Sequence, residues 1–372
     1  MTNDAHTGMH VAFRTDASVD IGTGHVMRCL TLADELRRRG ARCLFVCRPH
    51  AGHLLELIGQ RGHEAIALPA LDEAARGESL DGTAHARWLG TDWRRDADDV
   101  RRALAGRAVD WLVVDHYALD RRWERELRPL CGRLMVIDDL ADRPHDCDLI
   151  LDQNLGRAES DYAGLLPAHA NALIGPRHAL LRPEFAGLRA ASLARRAQGR
   201  LQRLLVTMGG VDKDNVSAQV LDALDAAGLG PDLRITVVLG PHAPWLESVR
   251  ARAARMHHPT EVLAGVSDMA SLMAESDVAI GAAGGTAWER CCLGLPGAIV
   301  VLAGNQRAGA AALQASGAAV VASRVDDLPG FLRDVSSPGG AAVLRRMSAA
   351  AAGVTDGQGA ARVVESLGAI HA

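Results

Sequence analysis

The chain has 372 residues, of which 48% are hydrophobic and 23% are charged, so it can bury a sizeable core and is expected to form about two domains. The net charge is −4 without a contiguous basic patch, which excludes the charge pattern of a nucleic-acid-binding protein. Seven cysteines without a C-x-x-C pair, and no long uncharged apolar run, indicate a cytoplasmic protein with reduced thiols and no membrane segment.

The first half of the chain alternates apolar runs with amphipathic stretches, which predicts a parallel sheet covered by helices. Strands are predicted at 10–15, 43–46, 64–68, 111–114, 134–137 and 149–151, and helices at 25–39, 53–60, 92–104 and 122–130. Polar residues such as Asp115 and Asp138-Asp139 follow several strands. Ligands bind beyond the carboxyl ends of such strands. An aspartate there can equally be a helix cap or a turn residue.

The second half repeats this organisation after a polar, arginine-rich stretch at 188–202, which predicts a linker between domains. A strand at 203–207, the loop Met208-Gly209-Gly210 and a helix at 215–227 come next, and further strands are predicted at 234–239, 261–263, 278–280, 298–301 and 319–322. The sequence therefore predicts an α/β fold of two Rossmann-like domains that face a cleft. Their ranges are 1–187 for the N-terminal domain and 203–338 for the C-terminal domain, with C-terminal helices at 339–372.

The stretch 20–25, Asp-Ile-Gly-Thr-Gly-His, joins the first predicted strand to the first predicted helix. Its two glycines allow a ligand to lie close to the backbone. His25 falls in the first helical turn, where the positive end of the helix dipole favours a neutral imidazole that can act as a base. A histidine that only helps to begin the helix would give the same pattern, and spacing alone does not choose between the two interpretations.

A second strand, loop and helix are predicted over residues 278–290. Free N–H groups at the start of this helix could hold a diphosphate, and Glu289 could accept hydrogen bonds from a ribose diol. Thr286 and Glu289 also match the Thr-x-x-Glu capping box, and spacing alone favours that structural role. No set of His, Cys or carboxylate residues has the spacing of metal ligands, so no metal site is predicted.

Together these motifs resemble a known family. They are Arg14-Thr15-Asp16, the stretch 21–29, Val113-Val114-Asp115-His116-Tyr117, Ile137-Asp138-Asp139-Leu140, Asp152-Gln153-Asn154, Met208-Gly209-Gly210, Trp288-Glu289-Arg290-Cys291 and Asn305-Gln306. In this order they resemble the UDP-2,4-diacetamido-2,4,6-trideoxy-β-L-altropyranose hydrolases of pseudaminic acid biosynthesis, over residues 10–322. More distantly, the layout is similar to the N-acetylglucosaminyltransferase of peptidoglycan synthesis, which has the two-domain GT-B fold.

The resemblance implies a metal-independent enzyme without a cofactor that releases UDP and 2,4-diacetamido-2,4,6-trideoxy-L-altrose with inversion, in a pathway that serves flagellin glycosylation. It implies that the N-terminal domain faces the sugar and the C-terminal domain binds UDP. The implied site residues are His25 as catalytic base, then Arg14, Asp16, Gly24, Tyr117 and Asn305 for the sugar substrate, and Gly209, Gly210, Gly281, Gly284, Gly285, Thr286 and Glu289 for UDP. Family members often carry serine at position 285, so backbone or water would replace a hydroxyl contact to phosphate there.

Two other classes of function remain open. A glycosyltransferase with the same fold would use the same UDP site but would pass the sugar to an acceptor. A non-catalytic protein that binds nucleotide sugars would keep Glu289 and would have no use for His25. In each case we expect a monomeric protein whose partner is a small UDP-amino-sugar, with no nucleic acid and no membrane as partner.

Overall fold

The computed structural model describes residues 8–70 and 83–371, and the chain divides into two compact units. The first unit consists of Met1–Leu180 and Gly359–Ala372, and the second consists of Leu181–Gln358. Each unit contains its own parallel sheet with helices packed against it. The predicted α/β fold of two Rossmann-like domains is therefore confirmed.

The first unit contains every strand and helix predicted for it, with bounds that shift by a few residues. The strands are β1 (His10–Thr15), β2 (Arg42–Cys47), β3 (Glu64–Ala67), β4 (Trp111–Asp115), β5 (Arg133–Ile137), β6 (Leu149–Asp152) and β7 (Asn171–Ile174), and the helices are α1 (Gly24–Arg38), α2 (Leu55–Gln60), α3 (Trp93–Ala103) and α4 (Arg121–Leu127). The strand β7 was not predicted, because its four residues are half-buried or exposed and give no buried apolar run.

Apolar side chains cover both faces of this sheet, as expected for parallel strands buried between helices. Successive strand residues point to opposite faces. Phe13 on β1 packs in one cluster with Leu32 and Leu36 of α1, whereas Ala12 packs in a second cluster with Val100 of α3. The apolar runs that predicted the strands therefore reflect burial on two sides.

The order of the strands fixes where a ligand can bind. All seven strands are parallel, in the order β3-β2-β1-β4-β5-β6-β7. The chain moves outward from β1 to β3 and then returns to place β4 on the other side of β1. The pair β1 and β4 is thus the topological switch point, and in open sheets of this kind ligands bind at the carboxyl ends of that pair of strands. In this pair Thr15 lies opposite Asp115.

The second unit has the same arrangement with six strands. They are β8 (Arg203–Thr207), β9 (Arg234–Leu239), β10 (Thr260–Ala264), β11 (Val278–Ala282), β12 (Gly297–Val300) and β13 (Ala319–Ala322). Its helices are α5 (Pro183–Arg196), α6 (Val216–Ala226), α7 (Leu246–Ala253), α8 (Met269–Glu275), α9 (Thr286–Cys292), α10 (Arg307–Ala315), α11 (Leu328–Ser336) and α12 (Gly340–Ala352). The order β10-β9-β8-β11-β12-β13 places the switch point between β8 and β11.

The structure places the boundary between the units before the predicted linker. Most of residues 188–202 continue α5, which belongs to the second unit. The buried guanidinium of Arg196 donates to the carbonyl oxygens of Met273 at 2.8 Å and Leu293 at 3.0 Å, and Ser192 donates to the Leu293 carbonyl at 2.7 Å. The polar composition that suggested a linker therefore reflects side chains that satisfy buried backbone carbonyls.

The two helices at the end of the chain belong to different units. The helix α12 packs in the second unit, whereas α13 (Gly359–His371) returns to the first unit, where Val363, Val364 and Leu367 join the cluster that contains Leu36. None of the helices in the described ranges combines the length and the apolar character that crossing a bilayer requires.

Candidate active site

His25 forms a buried pair with Asp115 at the switch point of the first unit. Gly22, with φ at +82°, turns the loop after β1, and α1 then begins at Gly24, so that His25 is its second residue. Asp115 is the last residue of the neighbouring strand β4. Because β1 and β4 are adjacent, the two side chains meet, and Nδ1 of His25 lies 2.6 Å from Oδ1 of Asp115.

The Asp115 carboxyl is ionised and therefore orients the imidazole. Burial alone would raise the pKa of Asp115, but Arg28 and His25 outweigh it and hold this pKa below its usual range. Arg28 donates to both carboxylate oxygens, at 2.6 and 2.7 Å. When a carboxylate accepts a hydrogen bond from Nδ1–H, the single ring proton of the neutral imidazole stays on Nδ1. Nε2 then keeps its lone pair and can accept a proton. Across residues 8–70 and 83–371, Nε2 of His25 takes part in no hydrogen bond.

The alternative that His25 only helps to begin the helix does not match these contacts. Its ring bonds to the side chain at the end of β4, and Thr23, the N-cap of α1, makes no side-chain cap. The helix start positions the imidazole, while the buried carboxylate determines which nitrogen can accept a proton. An Asp-His pair with a free Nε2 has the arrangement that general bases use.

A second carboxylate supports Arg28 and Tyr117. Asp139, two residues after the end of β5, accepts from Arg28 at 2.5 Å and from the Tyr117 hydroxyl at 2.6 Å. Burial, followed by Asp139, raises the pKa of Tyr117 far above its usual value, so the phenol remains a neutral donor. The Tyr117 ring meets the His25 ring edge-on, with centroids 4.6 Å apart. Tyr117 therefore lies beside His25, and its contact with the substrate stays a prediction.

Arg14 and Asp16 are bound to other side chains inside the first unit, and their contact with the sugar stays a prediction. Both side chains are fully buried. Arg14 donates to both oxygens of Asp96 on α3, at 3.1 and 2.7 Å, and to Asp16 at 2.6 Å. Asp16 also accepts from the backbone N–H of Arg48 at 2.7 Å. These contacts hold α3 and the loop after β2 against β1, so we assign them to the fold.

Two aromatic side chains that the sequence did not single out lie beside His25. Trp88 is 6.2 Å from the His25 ring between centroids, and His85 lies 4.6 Å from Trp88 and 5.3 Å from Tyr117. We call His85, Trp88 and Tyr117 the aromatic cluster. The segment that carries His85 and Trp88 has no clear periodicity, so only the rarity of tryptophan could have drawn attention to it.

Gly24, the residue before His25, was predicted to bind the substrate. A Cβ added there would meet nothing within 4 Å, so packing does not require glycine at this position.

In the second unit, the two predicted glycine loops leave the carboxyl ends of the strands at the switch point. Gly209 and Gly210 follow β8, and Gly284 and Gly285 follow β11. A Cβ added at any of these four positions would meet nothing within 4 Å, although φ of +96° strains any other residue at Gly209. Packing does not explain the glycines of the second loop. Open space and exposed amides suit the close approach of a ligand.

Gly281 has a packing role in the structure, and its contact with UDP stays a prediction. It is buried in β11, and a Cβ there would lie 2.0 Å from Nη1 of Arg290 and 2.9 Å from the Thr207 carbonyl oxygen. Arg290 is itself buried, donates to the Ala282 carbonyl oxygen at 2.8 Å, and has no partner for Nη1 within the described ranges. Gly281 thus makes room for a guanidinium beneath the loop. Sequence reasoning gave Arg290 no role.

Glu289 does not form the capping box that its spacing favours. The helix α9 begins at Thr286, its N-cap is Gly285, and no side chain caps it. Backbone bonds from Ala287 and Trp288 to Gly284 and Gly285 close the first turn and remove two amides that a diphosphate could use. Glu289 is therefore free of a capping role.

The carboxyl of Glu289 lies in an unusual environment. Burial raises its pKa to about 7, against the opposing charges of Arg182 and Arg290. The nearer cation, Arg182, is 3.8 Å away, beyond hydrogen-bond distance. Within the part of the chain that the structure describes, no neighbouring side chain donates a hydrogen bond to this half-buried carboxyl, so it is suited to accept a hydrogen bond from a ligand.

The remaining predicted residue is Asn305. It lies in the short 3₁₀ turn Gly304–Gln306, and its side chain falls outside the described part of the structure. Among the described residues, no group of three or more His, Cys, Asp or Glu side chains is placed to hold a metal ion.

Comparisons with known proteins agree with this architecture. Residues 203–334 match the glycosyltransferase family 28 C-terminal domain. The structure of MurG from Acinetobacter baumannii superimposes with a TM-score of 0.66 at 17% identity, and the match covers 96% of this chain and 99% of that one. The chain has the GT-B fold.

Two relatives are similar in sequence over most of the chain. The UDP-2,4-diacetamido-2,4,6-trideoxy-β-L-altropyranose hydrolase of Campylobacter jejuni is 25% identical over 269 residues, which cover 72% of this chain and 83% of that protein. An uncharacterized protein of Methanocaldococcus jannaschii is 24% identical over 303 residues, which cover 80% of this chain. The match spans 56% of the length of that second relative.

Proposed function

We propose that the protein hydrolyses a UDP-linked amino sugar by attack of water at the anomeric carbon. The observation that carries this proposal is the His25–Asp115 pair, in which a buried carboxylate bonds to Nδ1 and Nε2 stays free. A protein that only binds nucleotide sugars has no need of an oriented base at a switch point. An enzyme that must activate a hydroxyl group, including that of water, does.

In this reaction Nε2 of His25 removes a proton from water as the water oxygen bonds to the anomeric carbon. The bond between that carbon and the phosphate oxygen of UDP breaks, and UDP keeps the electron pair. Asp115 stabilises the imidazolium that forms, because the ionised carboxylate already accepts from Nδ1–H. Attack from the face opposite UDP inverts the anomeric centre and gives UDP and a free sugar.

The second unit supplies the groups proposed for UDP. The amides around Gly284, Gly285 and Thr286 and the guanidinium of Arg290 offer donors and positive charge for the diphosphate. Glu289 would accept from the ribose hydroxyls. The match of residues 203–334 to a glycosyltransferase domain supports this assignment.

For the sugar we propose 2,4-diacetamido-2,4,6-trideoxy-L-altrose, in a pathway to pseudaminic acid. The support is the similarity to the Campylobacter jejuni hydrolase, together with the matching motifs around His25 and Glu289. A glycosyltransferase is the second candidate, favoured by the family 28 domain and by the fold of MurG. Its base would activate an acceptor hydroxyl in place of water.

The test is incubation of the purified protein with a panel of UDP-amino-sugars in buffer without an acceptor. We expect stoichiometric release of UDP and free sugar, fastest for the UDP-linked 2,4-diacetamido-2,4,6-trideoxy-L-altrose, and the free sugar should first appear as the inverted anomer by NMR. Release of UDP only when an acceptor alcohol is added would favour the transferase. If the protein binds the UDP-sugar but releases no UDP either with or without an acceptor alcohol, it is a binding protein and not an enzyme.

Turnover is expected to survive excess EDTA. The guanidinium of Arg290 and the loop amides can stabilise the leaving diphosphate, and the sequence shows no set of residues with metal-ligand spacing. The measurement is the initial rate of UDP release with and without chelator, after dialysis into metal-free buffer. Loss of turnover that a divalent ion restores would disprove this account of the leaving group.

Replacement of Glu289 with glutamine is expected to weaken UDP binding at pH 8 by roughly 1 to 3 kcal/mol, the usual loss for a charge-assisted hydrogen bond. The pKa of about 7 adds a dependence on pH, because only the ionised carboxylate accepts from both ribose hydroxyls. The affinity ratio of parent to variant should therefore rise between pH 6 and pH 8. Titration of both proteins with UDP measures this ratio, in which the ionisation of UDP itself cancels.

Thermal unfolding provides the control for Glu289→Gln. Since burial raises the folded-state pKa of Glu289 above its unfolded value, the ionised side chain lowers stability above pH 7. The variant should therefore unfold at pH 8 at the same temperature as the parent or higher. Unchanged UDP affinity with a lower unfolding temperature would return Glu289 to a structural role.

A further inference from the structure

The aromatic cluster is an ordered surface beside the proposed base. The rings of Trp88 and Tyr117 stack, with centroids 5.7 Å apart and an angle of 23° between their planes. His85 meets both rings at steep angles, 61° to Trp88 and 63° to Tyr117. Because His25 contacts Tyr117 and Trp88 edge-on, a group that lies on the cluster is close to the imidazole.

This cluster is only partly buried. Tyr117 is 6% exposed, but Trp88 and His85 are half-buried. Trp88 lies on the short 3₁₀ helix Ala86–Leu89, and the fully buried Leu89 anchors that helix in the core. The indole is therefore held in place by its backbone while part of its surface stays open to solvent.

The rings of the cluster are themselves uncharged, and the guanidinium of Arg143 lies 5.9 Å from the centre of the buried Tyr117 ring. Burial lowers the pKa of His85, so its imidazole is neutral near pH 7. Aromatic faces gain free energy when they cover methyl and C–H groups, whereas a hydroxyl group placed there loses water without gaining a partner. A substituent that ends in a methyl group suits this surface better than a hydroxyl group does.

We infer that the aromatic cluster selects sugars that carry acetamido groups, and that Trp88 is the specificity-determining residue. This inference rests on the proposed function, since it concerns the sugar half of the same substrate. The acetyl methyl of such a sugar covers the indole while its anomeric carbon meets the water activated by His25. A sugar with hydroxyl groups alone leaves the indole uncovered and binds more weakly.

The experiment compares two ligands that differ in one substituent, UDP-N-acetylglucosamine and UDP-glucose. Competition against a fluorescent UDP analogue measures the affinity of each, and no turnover is needed. We expect the parent to prefer the acetamido sugar by about 10-fold or more, the usual discrimination from a small apolar group. In Trp88→Ala and Trp88→Leu this preference should fall towards one, with unchanged affinity for UDP itself.

Trp93→Ala is the matched control. Trp93 is also half-buried in the same unit, but its aromatic contacts are with Arg94 and Arg122, so the variant should keep the preference of the parent. An unchanged ratio in both Trp88 variants, or a ratio near one in the parent, would overturn the inference. The proposed function fails separately: a preference that depends on Trp88 without any hydrolysis would refute the hydrolase and keep the specificity site.

Discussion

Replacement of His25 with asparagine is expected to slow single-turnover hydrolysis by about 10²- to 10⁴-fold, the range that a general base contributes. Asparagine keeps a polar side chain of similar reach but cannot accept a proton near neutral pH. UDP affinity should barely change, because the residues proposed for UDP belong to the second unit. The measurements are rapid-quench hydrolysis with saturating UDP-sugar and a UDP titration of the same variant.

His10→Asn is the control for this variant. His10 is the first residue of β1, at the opposite end of the strand from the loop that carries His25, and its ring lies 3.3 Å from the Ala108 carbonyl oxygen. It should retain the parental rate. If His25→Asn also hydrolyses at close to the parental rate, the assignment of the base is wrong, and with it the preference for a hydrolase over a binding protein.

Replacement of Asp115 with asparagine is expected to reduce the rate by up to about 10⁴-fold, as when the carboxylate that orients a catalytic histidine is neutralised. The asparagine amide can donate to Nδ1, which moves the ring proton to Nε2 and removes the base. The imidazolium that forms during the reaction also loses its ionised partner. Single-turnover hydrolysis with saturating UDP-sugar, at the pH used for the parent, measures the loss of rate.

Stability must be separated from catalysis here, because Asp115 also pairs with Arg28. Breaking a buried ion pair lowers the free energy of unfolding by about 3–5 kcal/mol when one charge is left without a partner. The loss should be smaller for Asp115→Asn, because Arg28 still pairs with Asp139. Asp139→Asn therefore serves as the comparison: it removes the other partner of Arg28 and the charged acceptor of the Tyr117 hydroxyl, without touching the His25 ring. We expect similar destabilisation and a much smaller loss of rate. Equal rate losses in the two variants would argue that Asp115 acts only through folding.

The prediction of the fold from sequence succeeded because both sheets are parallel and buried on two sides. Such strands form continuous apolar runs, for example 203–207 and 234–239, whose bounds agree with β8 and β9. The strand β7 and the helix α5 are among the elements that escaped prediction, as are α7, α8, α10 and α11. The first lies half-exposed at the edge of its sheet, and the second uses arginine and serine side chains to bind buried carbonyls.

The sequence by itself located His25, because a loop with two glycines, a histidine and a helix start are all local features. The sequence also placed Asp115 after a strand, but only the tertiary structure made it the partner of His25, 90 residues away, because β1 and β4 pair. For Arg14 the tertiary structure had the opposite effect. The sequence grouped Arg14 with the motif of His25, but its guanidinium donates to the buried carboxylate of Asp96, 82 residues away. For Glu289, spacing favoured a capping box, yet the helix begins at Thr286 itself, one residue too early for Thr286 to be its N-cap. Local sequence patterns thus determined which residues stand at the ends of loops and helices. Long-range strand pairing and burial decided which charged side chains pair inside the fold and which polar groups are left to contact a ligand.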